Sequence, residues 1–175
     1  FILSFNIFLT FNLYSNERDF EIWLKNFKVK AVETGISSTV VDDVLLNAKF
    51  LPKVIEYDRY QPEFYEDTST YIGKRANNKK LSIGLLTYKK NTNLINQVEK
   101  KFNVEKELLL SLMGIETNFG KYLGKMDILS SLATLSFDKR RSEFFTKELI
   151  IALKLIDDKK INADELYGSW AGAFG

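Results

Sequence analysis

Histidine and cysteine are both missing from the 175 residues. Their absence excludes Ser-His-Asp triads, cysteine nucleophiles, disulfides, haem attachment and nearly every transition-metal site. Any catalysis therefore rests on Asp, Glu, Lys, Tyr or Ser, with carboxylate acid/base chemistry as the first candidate. Proline occurs only twice, so few points of the chain are barred from helix. No charge sign dominates: 25 basic and 23 acidic residues are interspersed and leave a formal net charge of +2. That balance calls for no nucleic-acid partner. There is no internal repeat, low-complexity segment or glycine-rich linker, and with 45% hydrophobic residues the length suits one domain or most of one.

What is present is mostly helical periodicity. The uncharged run FILSFNIFLTFNLY at the amino terminus has the length of the apolar core of a secretory signal peptide, so residues 1–16 are read as a signal remnant. Phe20, Trp23, Leu24, Phe27 and Ala31 recur at three- and four-residue steps and predict an amphipathic helix over 17–33, ended by Gly35. Ser37 is the expected cap of a second helix carrying Val40, Val41, Val44, Leu45 and Ala48, forming a hairpin with the first. The stretch 51–64 is bracketed by Pro52 and Pro62, which set extended or turning backbone before each of them, and is expected to be an ordered connection crossing the surface. Helices are expected again over 64–76 and 81–102, then over 128–137 and 144–157.

Between them lies Leu108-Leu109-Leu110-Ser111-Leu112-Met113-Gly114-Ile115-Glu116-Thr117-Asn118-Phe119-Gly120, apolar enough to predict a helix buried on most of its circumference. A carboxylate arriving near its end needs a reason, because a buried unpaired acid is costly unless paired, protonated or set in a cleft wall. Glu116 is the leading catalytic candidate. Asp127 offers a second carboxylate for a two-acid glycosidase, a mechanism whose required separation spacing alone does not provide.

Several ordered blocks carry more specific information: Val54-Ile55-Glu56-Tyr57-Asp58-Arg59-Tyr60-Gln61-Pro62-Glu63-Phe64, Gly114 to Gly120, Leu132-Ala133-Thr134-Leu135-Ser136-Phe137, Arg140-Arg141 with Phe144-Phe145 and Glu148-Leu149, and Gly168-Ser169-Trp170-Ala171-Gly172-Ala173. Together they resemble the lytic murein transglycosylase B family of bacterial cell-wall enzymes. The resemblance implies a mainly α fold: a lysozyme-like (α+β) transglycosylase core with an added N-terminal helical region, truncated at the C-terminus. Residues 17–102 would flank the cleft and 103–175 would form the N-terminal part of an incomplete catalytic core, leaving the piece alone with little activity.

By the same resemblance Glu116 is the sole catalytic acid/base, Arg140 and Arg141 match an arginine pair near the substrate, Ser169 matches a serine beside the carboxylate, and Tyr71 matches a cleft tyrosine. Where the family often has Tyr-Pro before the arginines, this chain has only Lys139. The implied substrate is the glycan strand of peptidoglycan, cut between N-acetylmuramic acid and N-acetylglucosamine without water, in the periplasm or cell envelope after export and with no cofactor. A hydrolytic muramidase and a non-catalytic peptidoglycan-binding module are the rival expectations. Membrane association and oligomeric state are left open.

Overall fold

The structure is a computed structural model that describes residues 2–61, 64–122 and 124–172, with side chains described from residue 16 onward. In chain order its helices are α1 (Ile2–Glu33), α2 (Ser38–Leu45), α3 (Pro52–Arg59), α4 (Thr68–Arg75), α5 (Asn78–Lys90), α6 (Thr92–Phe102), α7 (Lys106–Thr117), α8 (Ile128–Phe137) and α9 (Ser142–Asp157). Two short strands, β1 (Met126–Asp127) and β2 (Tyr167–Gly168), pair antiparallel with Met126 opposite Gly168 and Asp127 opposite Tyr167. The mainly helical fold class expected from the sequence is borne out.

The chain divides into two compact units, Phe1–Arg59 with Gly124–Gly175, and Tyr60–Leu123. The 102/103 division implied by the resemblance falls inside the second unit, between α6 and α7.

The first unit holds the large apolar core. Helix α8 is its axis: every residue from Ile128 to Ser136 is buried, against α9 and with α1 and α3 also in contact. Phe145, Leu149 and Leu153 recur along the face that α9 turns inward, and Phe20, Phe27 and Ala31 along that of α1. An aromatic cluster of Phe20, Trp23, Phe50 and Phe137, with centroid separations of 5.6 to 6.0 Å, joins α1 to the end of α8. Burying so many hydroxyls in α8 is tolerable because some hold backbone groups of the loop before α3. Ser130 Oγ accepts from Lys49 N at 3.0 Å, and Thr134 Oγ1 accepts from Leu51 N at 3.0 Å.

The expected hairpin of α1 and α2 is present, and Gly35 turns the chain at φ 89°. Ser37 does precede α2, but its hydroxyl donates to Asp157 at the end of α9 and makes no side-chain cap bond to α2.

Residues 62 and 63 lie outside the described residues, and the ordered surface connection expected over 51–64 is corrected over Pro52–Arg59, which form the helix α3. Pro52 sits in its first turn, where the missing N–H would have no intrahelical partner and the fixed φ is already helical. Val54 and Asp58, one turn apart, are both buried, and that packing outweighs the weak intrinsic pattern.

The single helix expected over 81–102 is two. Asn91 interrupts it: the Nδ2 of Asn91 donates to Thr87 O at 2.9 Å, and Thr92 Oγ1 donates to Tyr88 O at 2.9 Å. Both side chains compete with the backbone ladder. The apolar start expected as a signal remnant is helical in backbone and continuous with α1, and its side chains lie outside the described residues. Among the described residues no helix is long and apolar enough to cross a membrane.

Candidate active site

Helix α7 carries Glu116 in its last turn, and the way that helix ends fixes the carboxylate's place. Asn118 and Phe119 follow at φ 49° and 58°, then Gly120 at 78°. Asn118 N donates to Met113 O in a six-to-one closure typical of a helix C-terminus, Phe119 N donates to the same carbonyl at 2.8 Å, and Gly120 N donates to Thr117 Oγ1 at 2.9 Å. This turn folds the Phe119 ring back into a notch between two glycines. A Cβ on Gly114 would lie 2.9 Å from the ring, and one on Gly84 of α5 would lie 3.2 Å from it. The Gly114 to Gly120 block is thus a packing device that sets the helix end.

Burial is where expectation and structure part. Helix α7 is not enclosed on most of its circumference: Gly114 is its one buried residue among those described, while Leu108, Leu112 and Ile115 are exposed. Its neighbours α5 and α6 cover only part of it. Glu116 is exposed, and among the described residues no cation lies within ion-pairing distance. The next side chain, Ile115, lines an apolar groove of ≈ 530 Å³ between α5 and α7, with Leu81, Leu85, Leu110 and Phe119; Glu116, a third of a turn round the helix, does not line it.

Tyr71 lies in the same unit, half-buried on α4, with the Arg75 guanidinium 3.7 Å from its ring centroid. Arg75 is itself paired with Glu66 at 3.3 Å, and Lys74 meets the other oxygen of that carboxylate at 2.6 Å. These bonds, that from Lys74 first, hold the Glu66 carboxyl below its ordinary range. One face of the tyrosine is therefore occupied.

The remaining candidates belong to the other unit. Arg140 and Arg141, in the turn between α8 and α9, converge on one carboxylate, that of Asp58. Ser169 follows β2 and is half-buried, its Oγ accepting from Ala171 N at 3.3 Å. The turn around it is built on close backbone approach: a Cβ on Gly124 would fall 2.0 Å from the carbonyl oxygen of Gly168, and Gly172, at φ 92°, sits against Leu132. Asp127 is the N-cap of α8, with Oδ1 accepting from Ser130 N at 3.2 Å and Oδ2 from Ser130 Oγ at 2.7 Å. Both its oxygens are engaged in holding a helix end, which accounts for an acid at this position without a catalytic role.

The model of the family described as Transglycosylase SLT domain matches residues 19–175. The chain belongs to that family. Across 93 residues this SLT domain is 36% identical to the membrane-bound lytic murein transglycosylase B of Escherichia coli strain K12, a match covering 53% of the chain and 26% of that protein. It is also similar to SltB3 from Pseudomonas aeruginosa. The crystal structure of SltB3 in complex with NAG-NAM-pentapeptide aligns with TM-score 0.79 and 30% identity, over 89% of this chain and 42% of that one. Its complex with NAG-anhNAM-pentapeptide aligns with TM-score 0.78 and 30% identity over the same shares. The SLT domain described here thus spans less than half the length of these relatives.

Sequence reasoning passed over two features of this SLT domain. Asp58 was quoted inside a block but not singled out; its inward place follows from being one helical turn after Val54, once 52–59 is known to be helix. The Phe119 notch was hidden because Gly84 and Gly114 are thirty residues apart and neither alone marks a packing site.

Proposed function

We propose that the protein is a peptidoglycan lytic transglycosylase that cleaves the β-1,4 bond between N-acetylmuramic acid and N-acetylglucosamine without water, with Glu116 as acid and then base. Residues 103–175 supply the N-terminal part of the lysozyme-like catalytic core, and 17–102 flank the cleft. The observation that carries this reading is the family match across 19–175, joined to a carboxylate at the end of a helix whose terminus is fixed by the Phe119 notch.

The chemistry asks for one group that can give and take the same proton. Glu116, protonated, donates to the glycosidic oxygen as the bond to C1 breaks, and N-acetylglucosamine leaves with a free 4-hydroxyl. The carboxylate so formed accepts the proton of the muramoyl C6 hydroxyl while that oxygen closes on C1. A 1,6-anhydro ring results, and Glu116 is protonated again. No water is consumed and no second carboxylate is required. SltB3 was crystallised with NAG-anhNAM-pentapeptide, a ligand carrying such an anhydro sugar.

The acid step requires Glu116 to carry its proton when the glycan is bound. A sugar seated over Glu116 removes water from it and disfavours the charged form. Ser169 and Tyr71 would position the glycan through neutral hydrogen bonds and ring contact. Arg140 and Arg141 suit carboxylates of the polymer. The substrate places the work in the bacterial cell envelope.

The test is Glu116→Gln in the intact protein, assayed on purified peptidoglycan. Turnover falls on the order of 10²–10⁴-fold while binding to sacculi is kept. Retention of cleavage sinks the assignment, and wild-type protein that binds without cutting marks a binding module.

A further inference from the structure

Asp58 is the one charged side chain among the buried polar residues described, with 1% of its surface exposed. A carboxylate withdrawn so far from water demands counter-charge. It has more than one cation can supply: Arg140 Nη1 donates to Oδ2 at 2.6 Å and also to the Asp58 carbonyl, while Arg141 Nη2 donates to Oδ1. The arrangement is braced on both sides. Arg141 lies 4.7 Å from the centroid of the buried Phe145 ring. Asp138 accepts from Arg59 Nη2 at 2.5 Å and from Arg140 N at 3.3 Å.

Here three guanidiniums meet two carboxylates, so positive charge is left over. It is not hidden: the side chains of Arg140 and Arg141 remain 46% and 39% exposed. Both line an open groove of ≈ 1050 Å³ that Lys30 and Lys139 also border, together with Lys147 paired to Glu143 at 2.8 Å. Each guanidinium has five N–H donors in a rigid fork, more than Asp58 engages, although the Nε of Arg141 is itself buried without a partner among the described residues. Two adjacent arginines without the acid between them would repel and scatter over rotamers; with it they present a fixed double fork.

We propose that Asp58 is a positioning residue that presets Arg140 and Arg141 to receive a carboxylate of the substrate's peptide stem. This rests on the transglycosylase reading for the identity of the substrate. Asp58 touches no substrate itself; it acts through the arginines.

The experiment measures binding, with no bond cleavage, by calorimetry on the intact protein. The ligands are NAG-NAM-pentapeptide and an N-acetylglucosamine oligosaccharide, which has no carboxylate. Wild type binds the first more tightly, and added salt erodes that preference. Asp58→Asn weakens the peptide-bearing ligand about tenfold or more, leaves the neutral oligosaccharide within about twofold, and flattens the salt dependence. Should Asp58→Asn fail to fold, Arg141→Lys serves: it keeps the surface charge but gives up the fork, and the same selective loss is expected. Equal losses on both ligands, no loss on either, or a wild type indifferent to the peptide overturns the proposal. The transglycosylase reading is tested separately through cleavage by Glu116→Gln, so each can fail while the other stands.

Discussion

Single side chains decide two questions that composition leaves open. Asp127, a conceivable partner acid for Glu116 by sequence, caps α8 through Ser130. Asp127→Ala is expected to lower stability by about 0.5–2 kcal/mol in urea denaturation and to leave turnover per folded molecule intact. Loss of turnover at unchanged stability would restore a two-carboxylate mechanism. Asp157 is the second case. Its carboxyl takes the hydroxyl and the backbone N–H of Ser37, which, hydroxyl first, hold it below the ordinary aspartate value. The unfolded chain therefore binds a proton that the folded one refuses. The stabilisation is complete above the ordinary value of 3.8 and fades as pH falls through the lowered one. Melts of wild type and Asp157→Asn from pH 7 to pH 3 should converge at the acid end; parallel curves would deny Asp157 that role. Ser37 was legible as the start of a helix, yet its partner lies 120 residues away and no local pattern announces it.

At the scale of elements, periodicity located α1, α2, α8 and α9 because each has an apolar stripe that meets the core. It failed at α3, where two prolines outweighed a buried Val54 and Asp58, and at Asn91, where side-chain competition for carbonyls cuts one helix into two. The end of α7 was legible as a stop at Gly120, but its shape depends on Phe119 lying in a notch formed by two helices. Gly114→Ala tests this. Alanine favours helix by about 0.8–1 kcal/mol over glycine, but its Cβ would press on a ring held on its other side by Gly84, an overpacking cost of about 1–3 kcal/mol. A small net loss of stability with at least a tenfold loss of turnover is expected, since the ring and the turn after Glu116 must move together. Unchanged turnover would show that the helix end does not position the carboxylate.

Across the whole molecule the apolar residues are unevenly used. The unit built from residues 1–59 and 124–175 contains the continuous core, and Leu149, fully buried there, should cost about 2–5 kcal/mol when cut to alanine. In the unit of residues 60–123 many large apolar side chains, among them Leu85, Leu112 and Ile115, stay at the surface. This is why a hydrophobic count misjudged α7: apolar residues mark surface awaiting cover as readily as surface already covered. Family membership was legible before the fold because it lies in short ordered blocks, among them the helix end from Gly114 to Gly120, the paired charges of Asp58 with Arg140 and Arg141, and the glycine turn from Gly168 to Gly172. The central proposal, one carboxylate moving one proton with no water taken up, is tested most directly by mass spectrometry of the fragments that the intact protein releases from peptidoglycan in oxygen-18 water. Unlabelled 1,6-anhydromuramoyl ends, one water lighter than hydrolysis products, are expected. Labelled reducing ends would contradict it.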